Sequence, residues 1–486
     1  AKERLRRARG SHRSKQHQQA HLGDLIDDDE GDPAELLTDN LSEDAFQTRS
    51  NDAPLTPEDL RTVDVPVVPG RRDRPSKDQP GEQPQRHRLT PRRKAKLITD
   101  DAGLADLCQR LARPLPEMND RAVFAYDSEF IGEHTYLPKL CLIQVASPKL
   151  VAFIDPLAGV DLKPFWELMG DPNIVKIVHA GDQDLVPAVR AGVTPQAIFD
   201  TQIVAGFCAL PYPSALAKLV EYICGEKLPK GLTFSQWDER PLSKKQLRYA
   251  ADDVRHLPRV MVALERRLAK KTGLTSWALA ECQEQSRPDV LVKDDEPWNR
   301  VKGDGNLDGK ALAILRKLAL WRDKVARTND LPVRTLMRDE VITSLSRRPP
   351  RDMERLGNTR HMSRPVFEQY GEKIMKVIEE GKHADPVQPR DQHDEPTLKD
   401  KFRTDATWAV VQAICHCKGL DPNLVVSRRE VDTLLRRITG GQKFDDHPLL
   451  NGWRRQAVGD ELLALLGGDP VGLKWPGSAS QSKTVG

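Results

Sequence analysis

From Leu97 onward, short apolar runs alternate with stretches whose apolar residues recur every three or four positions. The runs AVFAY at 122–126, KLCLIQVA at 139–146, LVAFIDP at 150–156 and IVKIVHA at 174–180 are brief and rich in Val, Ile and Phe, which predicts strands. DLKPFWELMG, DLVPAVRAG, ALAKLVEYIC, SKKQLRYAADDVRHL and VMVALERRLAKK carry the helical period between and after them. Strands followed mostly by helices imply an α/β fold, a sheet flanked by helices, over residues 96–290. Beyond a charged, Gly-containing linker at 291–306 the period is helical throughout. LDGKALAILRKLALWRDKVARTNDLP stops at a proline, VRTLMRDEVITSLSRRPP repeats the arrangement, and RPVFEQYGEKIMKVIEEG ends at Gly381, giving an all-α bundle over 307–382. A polar spacer at 383–399, a second helical unit at 400–467 and a tail at 468–486 complete the chain.

The first 95 residues lack such a pattern. They are poor in aromatics, and their charge comes in blocks, basic at 2–16, acidic at 24–59 and basic again at 86–96. Such a segment buries too little apolar surface to offset its ordering entropy, so it is read as a disordered extension. A length of 486 residues exceeds what one core serves and suits roughly two to four folded units. No run approaches the ~18 apolar residues of a membrane helix. The basic start AKERLRRARG is followed by no apolar stretch, so a cytoplasmic location is expected. Seven cysteines, an odd number without a C-x-x-C pair, argue against a disulfide framework or a zinc site. The formal net charge of +3 says little about a nucleic-acid partner, and local charge has to carry that question.

Three acidic patterns carry candidate chemistry. In AYDSEF, Asp127 and Glu129 stand two apart on a strand and project from one face, an arrangement that suits a divalent cation or is a chance pair. In VHAGDQDLVPAV, His179, Asp182 and Asp184 lie where a strand gives way to a helix, a place where ligands gather. There Asp182 is equally readable as a helix N-cap and Asp184 as a first-turn acid. In RYAADDVRHL, Tyr249 and Asp253 are four apart on one helical face, placed either to hold a metal and a water or to form a solvated acidic turn.

The three patterns in this order resemble the DEDD exonuclease superfamily in its tyrosine-containing branch. The surrounding wording, DSEF, TYLPKLCLIQVA, IDPL, HAGDQDL, FDTQIVAGFC, W-D-E-R-PLS and YAADDV, narrows the resemblance to ribonuclease D over residues 100–290. It implies a ribonuclease H-like domain with a mixed sheet, and a 3′-to-5′ exoribonuclease releasing nucleoside 5′-monophosphates. Carried over position by position, it makes Asp127, Glu129, Asp184 and Asp253 ligands of two divalent cations, Mg²⁺ or Mn²⁺. Asp127, Glu129 and Asp253 would hold the first, Asp127 and Asp184 the second, and Tyr249 would orient the attacking water. Ser128, where the commoner motif has Thr, would ligate nothing. Phe130, Tyr136 and Leu137 are candidates for stacking on or wedging terminal bases. Gln144 and His179 are candidates for substrate-facing groups or for satisfied core residues, and Asp200 of FDTQ is taken as structural.

Residues 307–382 resemble the HRDC domain, which implies nucleic-acid binding, with Arg322, Lys324, Arg327, Arg334, Arg338, Arg347, Arg348 and Arg351 as its basic content. Residues 400–467 resemble a divergent second copy. The expected partner is RNA with a 3′ tail, tRNA precursors or other structured RNA, with no membrane and a monomeric chain. A DNA 3′ exonuclease of the same superfamily and a non-catalytic RNA-binding scaffold are the alternatives.

Overall fold

The computed structural model describes residues 88–91, 95–229, 236–292, 296–303, 305, 307–388 and 397–467. Most of the charged extension expected at 1–95 therefore lies outside the described residues. Among those described, no helix is long and apolar enough to cross a membrane.

Two compact units emerge. One gathers the described residues up to Glu129, Leu142–Val292 and those from 397 onward; the other joins Phe130–Cys141 to the described residues between 296 and 388. The first holds the sheet. In chain order it comprises β1 (Lys96–Ile98), α1 (Asp101–Leu111), β2 (Ala122–Ile131), β3 (Lys139–Ser147), β4 (Leu150–Ile154), α2 (Lys163–Gly170), β5 (Ile174–Val178), α3 (Val186–Arg190), β6 (Ile198–Asp200), α4 (Thr201–Phe207), α5 (Leu216–Cys224), α6 (Lys244–Arg255), α7 (Leu257–Leu268) and α8 (Leu274–Gln285), the ends of β2 and β3 reaching into the second unit. The strand order is β1-β4-β3-β2-β5-β6. β1 runs parallel to β4, and β2 and β6 run parallel to β5, whereas β3 and β4 are antiparallel, so the sheet is mixed and flanked by helices as the alternating pattern requires. The four apolar runs became β2 to β5. The two edge strands, KLI and IFD, are three residues each, too short to show a period.

β2 is the centre of this arrangement. Phe124 and Tyr126 are buried against Phe165 of α2, with ring centroids 6.1 and 5.8 Å apart, and each such side chain contributes about 2 kcal/mol by leaving water. That anchored face fixes the opposite, odd-numbered face, to which Asp127 and Glu129 belong.

Residues 397–467 pack on this unit. α12 (Leu398–Lys418) and α13 (Arg428–Thr439) are each opened by a capping box, and the short turn at 422–425 lies against α4. Gly206 permits that approach, since a Cβ there would meet Leu424 Cδ2 at 2.9 Å, and its carbonyl accepts the Asp421 N–H at 2.8 Å.

In the other unit, α9 (Gly309–Thr328), α10 (Asp339–Arg347) and α11 (Arg364–Lys382) surround a core of Leu315, Leu318, Ile342, Leu345, Ile374 and Ile378. Arg322, counted among the basic surface residues, is 5% exposed and donates to the Met337 carbonyl and the Asp339 carboxylate, so it belongs to this core.

Candidate active site

β2 delivers Asp127 and Glu129 to one side of the sheet. α6 delivers Tyr249 and Asp253, one turn apart; a capping box of Ser243 and Gln246 starts that helix. Ahead of it, Arg240 grips the Asp155 carboxylate with both nitrogens at 2.6 Å and donates to the Trp237 carbonyl, and Trp237 lies 6.2 Å from the Tyr249 ring. The W-D-E-R segment therefore braces the start of α6 against β4.

Carboxylate oxygens of Asp127, Glu129 and Asp253 lie within 4.8 Å of one another. Burial, then the charges of Asp184, Asp253 and Glu129, hold the Asp127 carboxyl well above the usual carboxylate range. Burial followed by Asp253 and Asp184 pushes Glu129 up to about 8, and burial followed by Asp252 pushes Asp253 up to about 7. Converging oxygens with no cation among them are what a hard divalent ion such as Mg²⁺ or Mn²⁺ takes, and the donor set fits one. The neighbouring Asp252 is disposed differently, its carboxylate 3.2 Å from Arg255 and 3.9 Å from Arg248. Burial and the adjacent Asp253 raise the Tyr249 phenol above its ordinary value, so it stays a neutral hydroxyl at physiological pH.

Asp184 is not part of the 4.8 Å group, although its charge acts on all three of its members. Its Oδ1 accepts from the Ser128 hydroxyl at 2.6 Å and the Ser128 N–H at 3.1 Å, while burial pushes the carboxyl up to about 6 against those donors. Neither Asp182 nor Asp184 caps a helix. The chain turns through 181–185, and α3 begins at Val186 with Leu185 as N-cap and a proline in its first turn. Asp182 is exposed, and among the described residues its carboxylate accepts a hydrogen bond only from Gln183, at 3.3 Å. The N–H groups at the start of the turn are taken from outside, Asp200 accepting from Ala180 and Gly181 at 3.1 Å each, while the Leu185 N–H returns to the Gly181 carbonyl at 3.0 Å.

The family model for the 3′-5′ exonuclease matches residues 95–269, and that for the HRDC domain matches residues 311–378. Ribonuclease D of Gluconacetobacter diazotrophicus is 33% identical over 379 residues, which cover 76% of this chain and 93% of that protein. The chain belongs to the ribonuclease D family. Ribonuclease D of Nitrobacter hamburgensis agrees to the same 33%, over 76% of this chain and 94% of its own length. The crystal structure of Escherichia coli RNase D, an exoribonuclease involved in structured RNA processing, superposes with a TM-score of 0.66 at 30% identity, covering 78% of this chain and all of that one. The chain is thus an enzyme, a hydrolase of the 3′-to-5′ exoribonuclease type, which sets the scaffold alternative aside.

The other candidates are placed as follows. His179 is buried, one ring nitrogen 2.9 Å from the Thr201 hydroxyl and the other 2.9 Å from the Ser214 carbonyl, so both nitrogens are engaged by the protein; burial holds it below its ordinary value and neutral. Gln144 is fully buried on β3, and neither amide atom has a partner among the described residues. Phe130 is half-buried and Leu137 is 46% exposed. Tyr136, in the helical unit, donates its hydroxyl to Asp323 at 2.7 Å, and Arg327 lies 4.9 Å over its ring. Ser128, read as ligating nothing, and Asp200, read as structural, are found as hydrogen-bond partners of the 180–184 segment, contacts that the sequence reading did not foresee. The alternation along β2 puts Ser128 on the face away from Asp127, and the loop that crosses to meet it has no local signal.

Proposed function

We propose that this protein trims 3′ tails from structured RNA such as tRNA precursors, releasing nucleoside 5′-monophosphates with two divalent cations, Mg²⁺ or Mn²⁺. The observation that carries this is the convergence of Asp127, Glu129 and Asp253, three carboxylates within 4.8 Å whose charges no basic side chain among the described residues offsets. Asp127, Glu129 and Asp253 present oxygens to one cation, and Asp127 with Asp184 to a second. Such ions acidify water and stabilise the entering and leaving oxygens of a phosphodiester. The neutral Tyr249 hydroxyl, beside Asp253, orients the attacking water by a hydrogen bond and removes no proton itself. Leu137, which is exposed, and the half-buried Phe130 offer apolar surface to terminal bases.

On the helical unit, Arg334, Arg338, Arg347, Arg348 and Arg351 are exposed and have no ion pair among the described residues, which suits a phosphate backbone. Changing Arg347, Arg348 and Arg351 to Gln should weaken RNA binding and lower the slope of log K against log salt by about 2. The direct test of the function compares release of mononucleotides from matched 3′-tailed RNA and DNA with Mg²⁺ or Mn²⁺, using Asp253→Asn as the control. Faster release from DNA, or release that survives Asp253→Asn, overturns the reading.

A further inference from the structure

β5 pairs with β2 only as far as Ala125, and its last residue is Val178. β2 continues for six residues beyond that pairing, to Ile131. β3 flanks β2 on its other side, so it is the N–H groups of the continuation facing the side that β5 has left that need acceptors other than a strand. The Ser128 N–H finds the Asp184 carboxylate, and the Ser128 hydroxyl donates to the same oxygen, Oδ1, at 2.6 Å. The buried Tyr126 hydroxyl donates to the Asp184 main-chain carbonyl at 2.6 Å. One oxygen and the backbone of Asp184 are thus tied to β2, and its Oδ2 has no hydrogen bond among the described residues.

The other end of the same loop is tied as well. Asp200, 7% exposed at the end of β6, accepts from the N–H groups of Ala180 and Gly181 at 3.1 Å and from that of Gln202 at 2.8 Å. Ala180 sits at a left-handed φ of 54°, which a non-glycine residue adopts only when its surroundings enforce it. Gly181 follows because a Cβ there would stand 2.7 Å from the Val178 side chain. One carboxylate on the neighbouring strand therefore holds the strained start of the loop, and one serine on β2 holds its end.

We propose that Ser128 and Asp200 are positioning residues for the second cation: they fix the loop 179–184 so that one oxygen of Asp184 is committed to Ser128 and the other is left for the ion. The inference rests on the reading of Asp184 as a ligand. Hydrogen-bond partners of a metal-binding carboxylate commonly change affinity by about 10- to 100-fold when removed. A fixed carboxylate also loses less freedom on binding than one that must first be ordered.

The test counts Mn²⁺ alone on the full chain, by calorimetry and by the electron paramagnetic resonance of free Mn²⁺, without RNA. Wild type should bind two ions of unequal affinity, and Asp184→Asn should lose the weaker. Ser128→Ala should weaken that site alone by about 10-fold, and Ser128→Thr should restore it to within about threefold. Asp200→Asn, reached from another strand, should weaken the same site and leave the tighter one unchanged. If Asp184→Asn loses an ion while Ser128→Ala and Asp200→Asn bind both ions as wild type does, the positioning role is wrong and the ligand assignment stands. Unchanged binding by Asp184→Asn removes the ligand reading and the inference together. Equal weakening of both sites in Ser128→Ala and Asp200→Asn, or their failure to fold in chelator where Asp184→Asn folds, marks a general structural role and also overturns the proposal.

Discussion

The same compact unit buries carboxylates in two opposite ways. Glu281 on α8 is 3% exposed, yet Arg454 reaches it with two nitrogens at 2.7 and 2.8 Å, and the Trp453 indole donates at 2.7 Å. These donors hold it below the usual range despite burial. Asp127, Glu129 and Asp253 are less enclosed but lie among one another's charges, and all three are pushed up. A buried acid with a fitted cation is a joint, and here it fastens residues 452–466 to the helix that carries Glu281. Acids that converge without one are poised for a cation from solution. Burial alone does not separate the two; the sign of the charge around each carboxylate does.

Removing one acid from each place should therefore act in opposite directions. The largest effect is on catalysis: Asp127→Asn should reduce Mg²⁺- or Mn²⁺-dependent release of mononucleotides to background. In chelator at pH 8 the same variant should be more stable than wild type, by about 1 kcal/mol, because Asn removes a carboxyl whose ionised form burial and the neighbouring acids disfavour. Persistent release by the purified variant would break the comparison on the active-site side. Glu281→Ala should do the reverse, costing about 3 kcal/mol in denaturant unfolding, since it leaves the Arg454 guanidinium partly buried and unpaired. Its turnover per folded molecule at low temperature should be close to wild type. A stability unchanged within about 0.5 kcal/mol would show that the ion pair is incidental.

Tyr249→Phe gives a smaller, sharper contrast. Burial among carboxylates keeps the phenol neutral, so its contribution is a hydrogen bond and no proton transfer. Turnover should fall about 10- to 100-fold with Mn²⁺ affinity unchanged, a loss below that of a typical general base. A pH–rate profile that loses an ionisation in the variant would contradict this role.

The sequence carried the long-period features and not the crossings. AVFAY and IVKIV announced β2 and β5 because their apolar residues are contiguous, and Tyr249 and Asp253 shared a face because four residues make about one helical turn. KLI and IFD did not announce the edge strands, having no room for alternation. The segment HAGDQDL looked like a capped helix start, and the structure departs from that because Asp200 satisfies its N–H groups from the next strand. The Glu281–Arg454 joint links positions 173 residues apart, and neither residue breaks its local pattern. Arg322 looked like surface charge for a related reason: only the folded bundle brings the Met337 carbonyl and the Asp339 carboxylate to it.

The smallest effect isolates the sign of the charge at the site. Glu129 has its folded value pushed up to about 8, above the ordinary range near 4.5 of an exposed glutamate. The fold therefore favours its protonated form, which adds stability below the unfolded value and is lost as pH rises through about 8. Other groups titrate in this window. Lys176, pushed down to about 7 by burial, and His179, His256 and His447, all lowered, oppose the trend. They are common to wild type and Glu129→Gln, so the difference between the two melting curves removes them. In chelator, Glu129→Gln should match wild type near pH 4.5, and its advantage should grow as pH rises toward about 8, to a melting temperature roughly 2 °C higher at pH 8.5. Excess Mg²⁺ should reverse the order at pH 8.5, because the ion stabilises only the chain that offers it a carboxylate there. A difference that does not change with pH in chelator would mean that Glu129 is already compensated in the folded chain, as Glu281 is.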